Sequence, residues 1–191
     1  KKKKIRRQEQ YEAYLEEQED YIKGCREDER DTLTNIYITP EQELRNVQEF
    51  APDLFDRTED DRDFLHIRMG YGRLLSGRQI KTVEHKELTD KQDTLTEEPE
   101  RLRKKYEYKE RMPAYVEATQ ANAIGVLGKQ SSLERMMNQV TLDLVTRQMP
   151  EDLELYLLCD KDFEGHLQAY RMLPHVWNKY SNRRNIASDP E

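Results

Sequence analysis

Two apolar stretches decide the fold: Ala123-Ile124-Gly125-Val126-Leu127 and, further along, Leu153-Glu154-Leu155-Tyr156-Leu157-Leu158-Cys159. Residues 131–148 lie between them and carry apolar side chains at helical spacing, and residues 163–173 predict a closing helix. Strands that are continuously apolar, rather than alternating, are typical of parallel sheets covered on both faces. We therefore predict an α/β fold in which residues 64–191 form a small domain with a mainly parallel sheet.

The start of this domain has a different periodicity. In residues 64–69, Leu65, Ile67 and Met69 share one face of a predicted strand, while His66 and Arg68 share the other. Gly70 and Gly72 follow directly and interrupt the alternating pattern. Residues 79–84 predict a second short strand, and residues 99–111 predict a helix that begins at Pro99 and is ended by Pro113.

Residues 1–38 predict a helical stalk. The helical pattern runs from about residue 9 to residue 33, with a narrow apolar stripe on an acidic helix. The stripe repeats at alternating spacings of three and four, which is typical of a heptad-like seam. Its members are Tyr11, Tyr14, Gln18, Tyr21 and Cys25, with Leu15 and Ile22 alongside. Such a helix must pack against something, either the rest of the chain or another subunit.

Residues 39–63 predict a capped helix followed by a charged linker. Thr39 is a good N-cap, Pro40 fits the first helical position, and Gln42 completes a capping box. The apolar face of this helix comprises Leu44, Val47 and Phe50.

Composition excludes several classes of protein. The chain has 191 residues, 37% of them charged and 35% hydrophobic, with a net charge of −7. No apolar run approaches the roughly 18 residues that span a bilayer. Two cysteines, Cys25 and Cys159, are too few and too distant for a disulfide framework or a cysteine-rich zinc site. We expect a reduced, cytosolic segment, and the acidic balance argues against general nucleic-acid binding.

The first seven residues stand apart from this acidic balance, because six of them are Lys or Arg. Such a cluster before a long polar helix is typical of the cytoplasmic flank of a membrane helix. It therefore predicts that residues 1–7 lie next to a membrane. A solvated basic tail explains the same residues equally well.

The clearest candidate for a ligand-binding site is the segment 125–132, which connects a predicted strand to a predicted helix. Gly125, Gly128, Lys129 and Ser131 are residue types that cradle phosphate at a helix N-terminus. A P-loop, however, has four residues between its glycines and a Lys followed directly by Ser or Thr. The alternative is a tight turn at Gly128 and a capping box between Ser131 and Glu134.

Asp160 follows the second apolar stretch and is placed like the aspartate that holds magnesium in nucleotide hydrolases, with Asp162 as a second carboxylate. Both are also ordinary caps for a helix that begins near Phe163. The four histidines have no metal-ligand spacing, and neither cysteine has a neighbouring histidine. We therefore expect no metal site and no catalytic residue.

Three motifs together resemble one family. Residues 63–72, Asp-Phe-Leu-His-Ile-Arg-Met-Gly-Tyr-Gly, are similar to its DFL-x-[VL]-R-[LV]-G-x-G strand, although Met69 and Tyr71 replace commoner residues. Residues 123–128 are similar to its h-G-h-h-G strand, and residues 173–177, Leu-Pro-His-Val-Trp, to its LPH-x-W ending. The family is the membrane-bound FtsK/SpoIIIE-type ATPases of type VII secretion, of the EssC/EccC kind.

The resemblance implies that the chain is the cytoplasmic stalk and the degenerate, Rossmann-like pre-ATPase domain of a bacterial cell-membrane protein. It implies no cofactor in this segment, with ATP and magnesium bound in later modules of the parent protein. It also implies a hexameric parent that works with other secretion subunits and exports WXG100-type or LXG-type proteins.

Three hypotheses follow. The first is a non-catalytic coupling and assembly segment that links transmembrane helices to ATPase modules. The second is a genuine nucleotide or phosphate site built from Gly125, Gly128, Lys129, Ser131 and Asp160. The third is a self-associating helical scaffold with contact residues Tyr11, Tyr14, Tyr21 and Ile22 on the stalk seam.

Overall fold

Four α-helices and six β-strands are connected by loops and short 3-10 helices in the computed structural model, which describes residues 2–82 and 94–188. Two compact units share them: unit 1 comprises residues 1–37 and 70–114, and unit 2 comprises residues 38–69 and 115–191. The elements are α1 (Lys2–Ile36), α2 (Pro40–Glu49), β1 (His66–Leu75), α3 (Thr94–Lys105), β2 (Tyr108–Glu117), α4 (Gln130–Arg147), β3 (Leu157–Leu158), β4 (Trp177–Asn178), β5 (Arg183–Arg184) and β6 (Ile186–Ala187).

Unit 1 is built around the predicted stalk helix, which is confirmed and is longer than the periodicity indicated. Glu19 of α1 accepts hydrogen bonds from Lys105 Nζ and the Tyr106 hydroxyl, each at 2.7 Å. Further along, the Arg26 guanidinium donates to the carbonyl oxygens of Tyr106 and Arg78 at 3.0 and 2.8 Å. The polar stalk helix is therefore held within unit 1 by charged side chains as well as by its apolar stripe.

The predicted helix over residues 99–111 is wrong in its extent. Helix α3 ends at Lys105, Pro99 lies inside it, and Pro113 lies within strand β2. The strand was not predicted because residues 109–111 are all charged and show no alternating apolar pattern. In the structure Lys109 is buried and forms an ion pair with Glu29, and Met112 is fully buried. Pro113 is tolerated because a two-stranded sheet consists of edge strands only.

Strands β1 and β2 form one two-stranded sheet. In unit 1 the Ser76 N–H donates to the Glu107 carbonyl oxygen at 2.8 Å, and in unit 2 the Ala118 N–H donates to that of Leu65 at 3.0 Å, so the strands run antiparallel. Strand β1 continues through Gly70, which adopts a φ of +134° that side chains disfavour. The predicted strand over residues 79–84 is absent at residues 79–82, and its last two residues lie outside the described ones.

Unit 2 begins with α2, whose predicted cap is confirmed. The Thr39 hydroxyl accepts from the Gln42 N–H at 3.4 Å, and the Gln42 side chain accepts from the Thr39 N–H at 2.8 Å. Helix α4 confirms the predicted central helix of this part of the chain, and α2 packs against it.

The parallel sheet predicted around α4 is only partly present. Residues 123–127 form no strand and are exposed, since no neighbouring strand covers them in the described part of the chain. Of residues 153–159 only β3 is a strand, and it pairs in parallel with β6 through Leu157 and Ile186. Residues 163–173 form short 3-10 helices rather than one α-helix. The α/β class is thus confirmed, with pairing that is mostly antiparallel or very short.

No described helix has both the length and the apolar character needed to cross a membrane.

Candidate functional site

An open apolar groove of about 680 Å³ lies within unit 2. Its walls are the first half of α4, the start of β1, the chain segment before α4, and the ring of Phe163. The lining residues are Ile67, Met69, Ile124, Val126, Gly128, Gln130, Leu133, Glu134, Met136, Met137, Val140 and Phe163. This volume falls within the range of pockets that hold small ligands or several protein side chains.

Periodicity explains why these side chains meet. On α4, Leu133, Met136, Met137 and Val140 follow the i, i+3, i+4, i+7 spacing of one helix face. On β1, Ile67 and Met69 alternate with Arg68 and therefore lie on the same side of the strand. Methionine thioethers are flexible, so the groove has adaptable walls.

The groove has little polar character. Its polar side chains are Gln130 and Glu134, and the Gln130 amide donates to the Glu134 carboxylate at 3.1 Å. His166 Nδ1 lies 3.9 Å from the same carboxylate. None of the described lining residues is a lysine or an arginine. A bound phosphate would therefore meet apolar surface and a carboxylate rather than positive charge.

Of the predicted phosphate-loop residues, Gly128 lines this groove, and Gly125, Lys129 and Ser131 are not among its lining residues. Gly125, Gly128, Lys129 and Ser131 are all exposed, and α4 begins directly after Lys129. Neither of these glycines has a positive φ. A Cβ at Gly128 would meet Leu133 at an ordinary 3.7 Å, and one at Gly125 would meet nothing within 4 Å. The backbone here does not require glycine, unlike the backbone of a tight phosphate loop.

The alternative capping box at α4 is wrong. Lys129, rather than a serine, occupies the N-cap position and makes no side-chain cap bond, while Ser131 lies inside the first turn. The Glu134 side chain that was expected to close the box is bonded to Gln130 instead.

Asp160 and Asp162 are exposed and lie at the start of the 3-10 helix Lys161–Leu167. The Phe163 N–H donates to the backbone carbonyl of Asp160 at 2.9 Å, and the Asp160 side chain makes no cap bond. The predicted cap at Asp160 is therefore absent. Within residues 2–82 and 94–188, no three His, Cys, Asp or Glu side chains are grouped as metal ligands.

The residues of the predicted stalk seam differ in how far their side chains are exposed. Tyr14 and Tyr21 are exposed, Tyr11 and Ile22 are half-buried, and Cys25 is buried. The rings of Tyr11 and Tyr14 stack with centroids 6.4 Å apart. Tyr14 and Tyr21 are therefore the members of the seam whose side chains remain available on the surface of unit 1.

A buried charged cluster in unit 2 was missed by the sequence interpretation. Glu43 of α2 is only 2% exposed and lies against Asp143 and Arg147 of α4. The Asp143 carboxylate accepts from the Arg68 N–H at 2.7 Å and lies 3.5 Å from Arg147 Nη1. Arg147 Nη2 also lies 3.3 Å from Asp63.

Burial and the hydrogen bond to Asp143 raise the pKa of Glu43, and the nearby arginines offset this effect only in part. A signal for the cluster was available in the sequence. Asp143 and Arg147 are four residues apart and are therefore neighbours on one face of the predicted central helix.

No protein-family profile matches the chain. Curated relatives do match it over nearly its whole length. The ESX secretion system protein EccC of Geobacillus thermodenitrificans is 24% identical over 173 residues, which are 90% of this chain and 12% of that protein. The type VII secretion system protein EssC of Staphylococcus aureus strain NCTC 8325 is 24% identical over 181 residues, 95% of this chain and 12% of that protein.

EssC of S. aureus strain MSSA476 is 22% identical over the same length. The chain thus spans about 12% of the length of the curated relatives it matches. It is a relative of the EccC and EssC proteins of type VII secretion, and the resemblance carried by its motifs is confirmed.

Proposed function

We propose that this chain is a non-catalytic coupling and assembly segment of a type VII secretion motor. In this proposal the stalk helix connects transmembrane helices to the α/β part of the chain, and downstream modules of the parent protein bind ATP and magnesium. The similarity to proteins named for type VII secretion over 90–95% of the chain supports the placement in that system.

The observation that carries the non-catalytic role is the chemistry of the groove. The segment that most resembles a phosphate loop borders apolar side chains and Glu134, and its glycines have ordinary backbone conformations. Phosphate binding requires converging N–H groups and positive charge. The degenerate, Rossmann-like character of the domain belongs to the same proposal.

The wider context is also proposed. The parent protein would be a hexamer in the bacterial cell membrane, would work with other secretion subunits, and would export WXG100-type or LXG-type proteins. The basic residues 1–7 would lie at the cytoplasmic membrane surface, where anionic lipids attract lysine and arginine. No nucleic-acid partner is proposed.

Equilibrium titration of the 191-residue chain with fluorescently labelled ATP and magnesium tests the non-catalytic role. We expect no saturable binding up to about 1 mM nucleotide, because the groove offers apolar side chains and a carboxylate to a phosphate. A dissociation constant of 1 mM corresponds to a binding free energy of only about 4 kcal/mol. Lys129→Ala is the matched variant, and its titration should be identical to that of the unmodified chain.

Micromolar binding that Lys129→Ala abolishes would contradict this proposal and favour a nucleotide site at residues 125–132.

A further inference from the structure

Helix α2 is attached to the rest of unit 2 by a polar contact. Among residues 40–49, all of which the structure describes, Glu43 is the one buried residue. Leu44 and Val47, residue types that would anchor an ordinary amphipathic helix, are 50% and 42% exposed. The helix packs against α4. Separation of α2 from α4 would therefore expose little apolar surface, which is typical of an element that opens on its own.

The charged groups beneath α2 are matched without Glu43. The Asp143 carboxylate accepts from the Arg68 N–H and lies 3.5 Å from Arg147 Nη1. Arg147 also contacts Asp63, whose carboxylate accepts from Arg57 Nε at 2.6 Å. These contacts connect α4 to β1 and to the segment before β1. We therefore expect them to persist when α2 separates from α4.

The chain after α2 is attached to α4 through its backbone. The N–H groups of Phe55 and Arg57 donate to the carbonyl oxygens of Thr146 and Arg147 at 2.9 and 3.0 Å. These bonds involve no side chain of α2. They therefore limit a movement of the helix to residues 39–54.

Glu43 adds a second buried carboxyl group beside a buried carboxylate. It is hydrogen-bonded to Asp143, and no described residue donates a hydrogen bond to its Oε2 atom. Two neighbouring buried carboxyl groups cannot both ionise at low cost. The guanidinium groups of Arg68 and Arg147 favour the ionised form of Glu43, but burial and Asp143 outweigh them and raise its pKa. In the closed arrangement Glu43 is therefore neutral and donates its proton to Asp143.

We propose that Glu43 is a proton-dependent switch: its neutral carboxyl group holds α2 against α4, and its ionised carboxylate releases residues 39–54 while the rest of unit 2 stays folded. The released carboxylate is solvated by water, whereas the closed one has only buried neighbours. Loss of the proton therefore favours the open arrangement.

Hydrogen exchange of the 191-residue chain, followed by mass spectrometry of peptides from α2 and α4, tests this switch. The protection factors of α2 amides should fall about tenfold per pH unit between about pH 6 and pH 8, because opening releases one proton in this range. Glu43→Gln stays neutral, so its α2 protection should not change with pH. Glu49→Gln, at the exposed end of the same helix, is the control and should follow the unmodified chain.

The same exchange measured in low concentrations of urea separates release of α2 from unfolding of the whole unit. A local opening exposes little surface, so exchange in α2 should not change up to about 1 M urea. Amides of α4 that exchange through unfolding of the unit should exchange faster as urea is added.

Three results would overturn the inference. In the first, α2 and α4 show the same protection and the same response to urea, so that the helix leaves only when the unit unfolds. In the second, α2 protection in the unmodified chain is constant with pH. In the third, the Glu43→Gln variant keeps the pH dependence of the unmodified chain. None of these measurements involves nucleotide, so they are independent of the proposed non-catalytic role.

Discussion

Replacing Asp143 by alanine is expected to destabilise unit 2 by about 3 kcal/mol, because the change breaks a buried charged cluster. The Asp143 carboxylate is 2% exposed and accepts the Arg68 N–H at 2.7 Å. It also lies 3.5 Å from the guanidinium of Arg147, whose side chain is 6% exposed. Alanine would leave the N–H without its acceptor and would remove one of the carboxylates that Arg147 contacts.

Urea unfolding followed by Trp177 fluorescence measures this loss, because the sole tryptophan belongs to unit 2. Asp152→Ala is the matched control. It removes an exposed aspartate of the same unit and should change the free energy of unfolding by less than about 0.5 kcal/mol. A loss below about 1 kcal/mol in Asp143→Ala would show that the cluster is not important for stability.

Replacing Glu43 by glutamine is expected to stabilise the chain at neutral pH and to have a smaller effect near pH 5. Burial, followed by the hydrogen bond to Asp143, raises the pKa of Glu43 from an ordinary 4.5 to about 9. The folded state therefore keeps a proton that the unfolded state loses. The contribution of Glu43 to stability is fully present below pH 4.5 and is lost as the pH rises toward 9.

Glutamine keeps the shape and the donor of the protonated acid but does not titrate. The Glu43→Gln variant should therefore be more stable than the unmodified chain by about 2 kcal/mol at pH 7, with a smaller difference at pH 5. Unfolding curves at several pH values, monitored by Trp177 fluorescence, measure the difference.

Glu49→Gln on the exposed end of the same helix is the control and should follow the unmodified chain. Parallel pH profiles for the Glu43→Gln variant and the unmodified chain would contradict the proposed protonation of Glu43 in the folded state.

Helices α1, α2 and α4 could be predicted because their signals are local. The Thr39–Gln42 capping box and the stripe from Leu133 to Val145 each lie within one element, and both are confirmed. Strand β1 was also predicted from its alternating pattern, but the pairing of the strands could not be predicted, because it depends on distant partners. Residues 123–127 are as apolar as a buried strand but have no neighbour strand among the described residues, whereas the charged strand β2 pairs with β1.

The motif at residues 125–132 lies in the segment that borders the groove, but the chemical character of the groove could not be predicted from it. Its character is set by side chains from elsewhere, such as Met69 and Phe163, which no local pattern connects to it. The side of α2 that packs against α4 could not be predicted either. Glu43 rather than Leu44 is buried because it meets Asp143 and Arg147, which lie about a hundred residues away along the chain.

Export of a small helical substrate by the complete secretion protein carrying both Lys129→Ala and Ser131→Ala tests the central claim most directly. If residues 125–132 take no part in nucleotide chemistry, export should equal that of the unmodified protein. Loss of export in the Lys129→Ala, Ser131→Ala protein, while the amount of folded protein stays unchanged, would contradict the account.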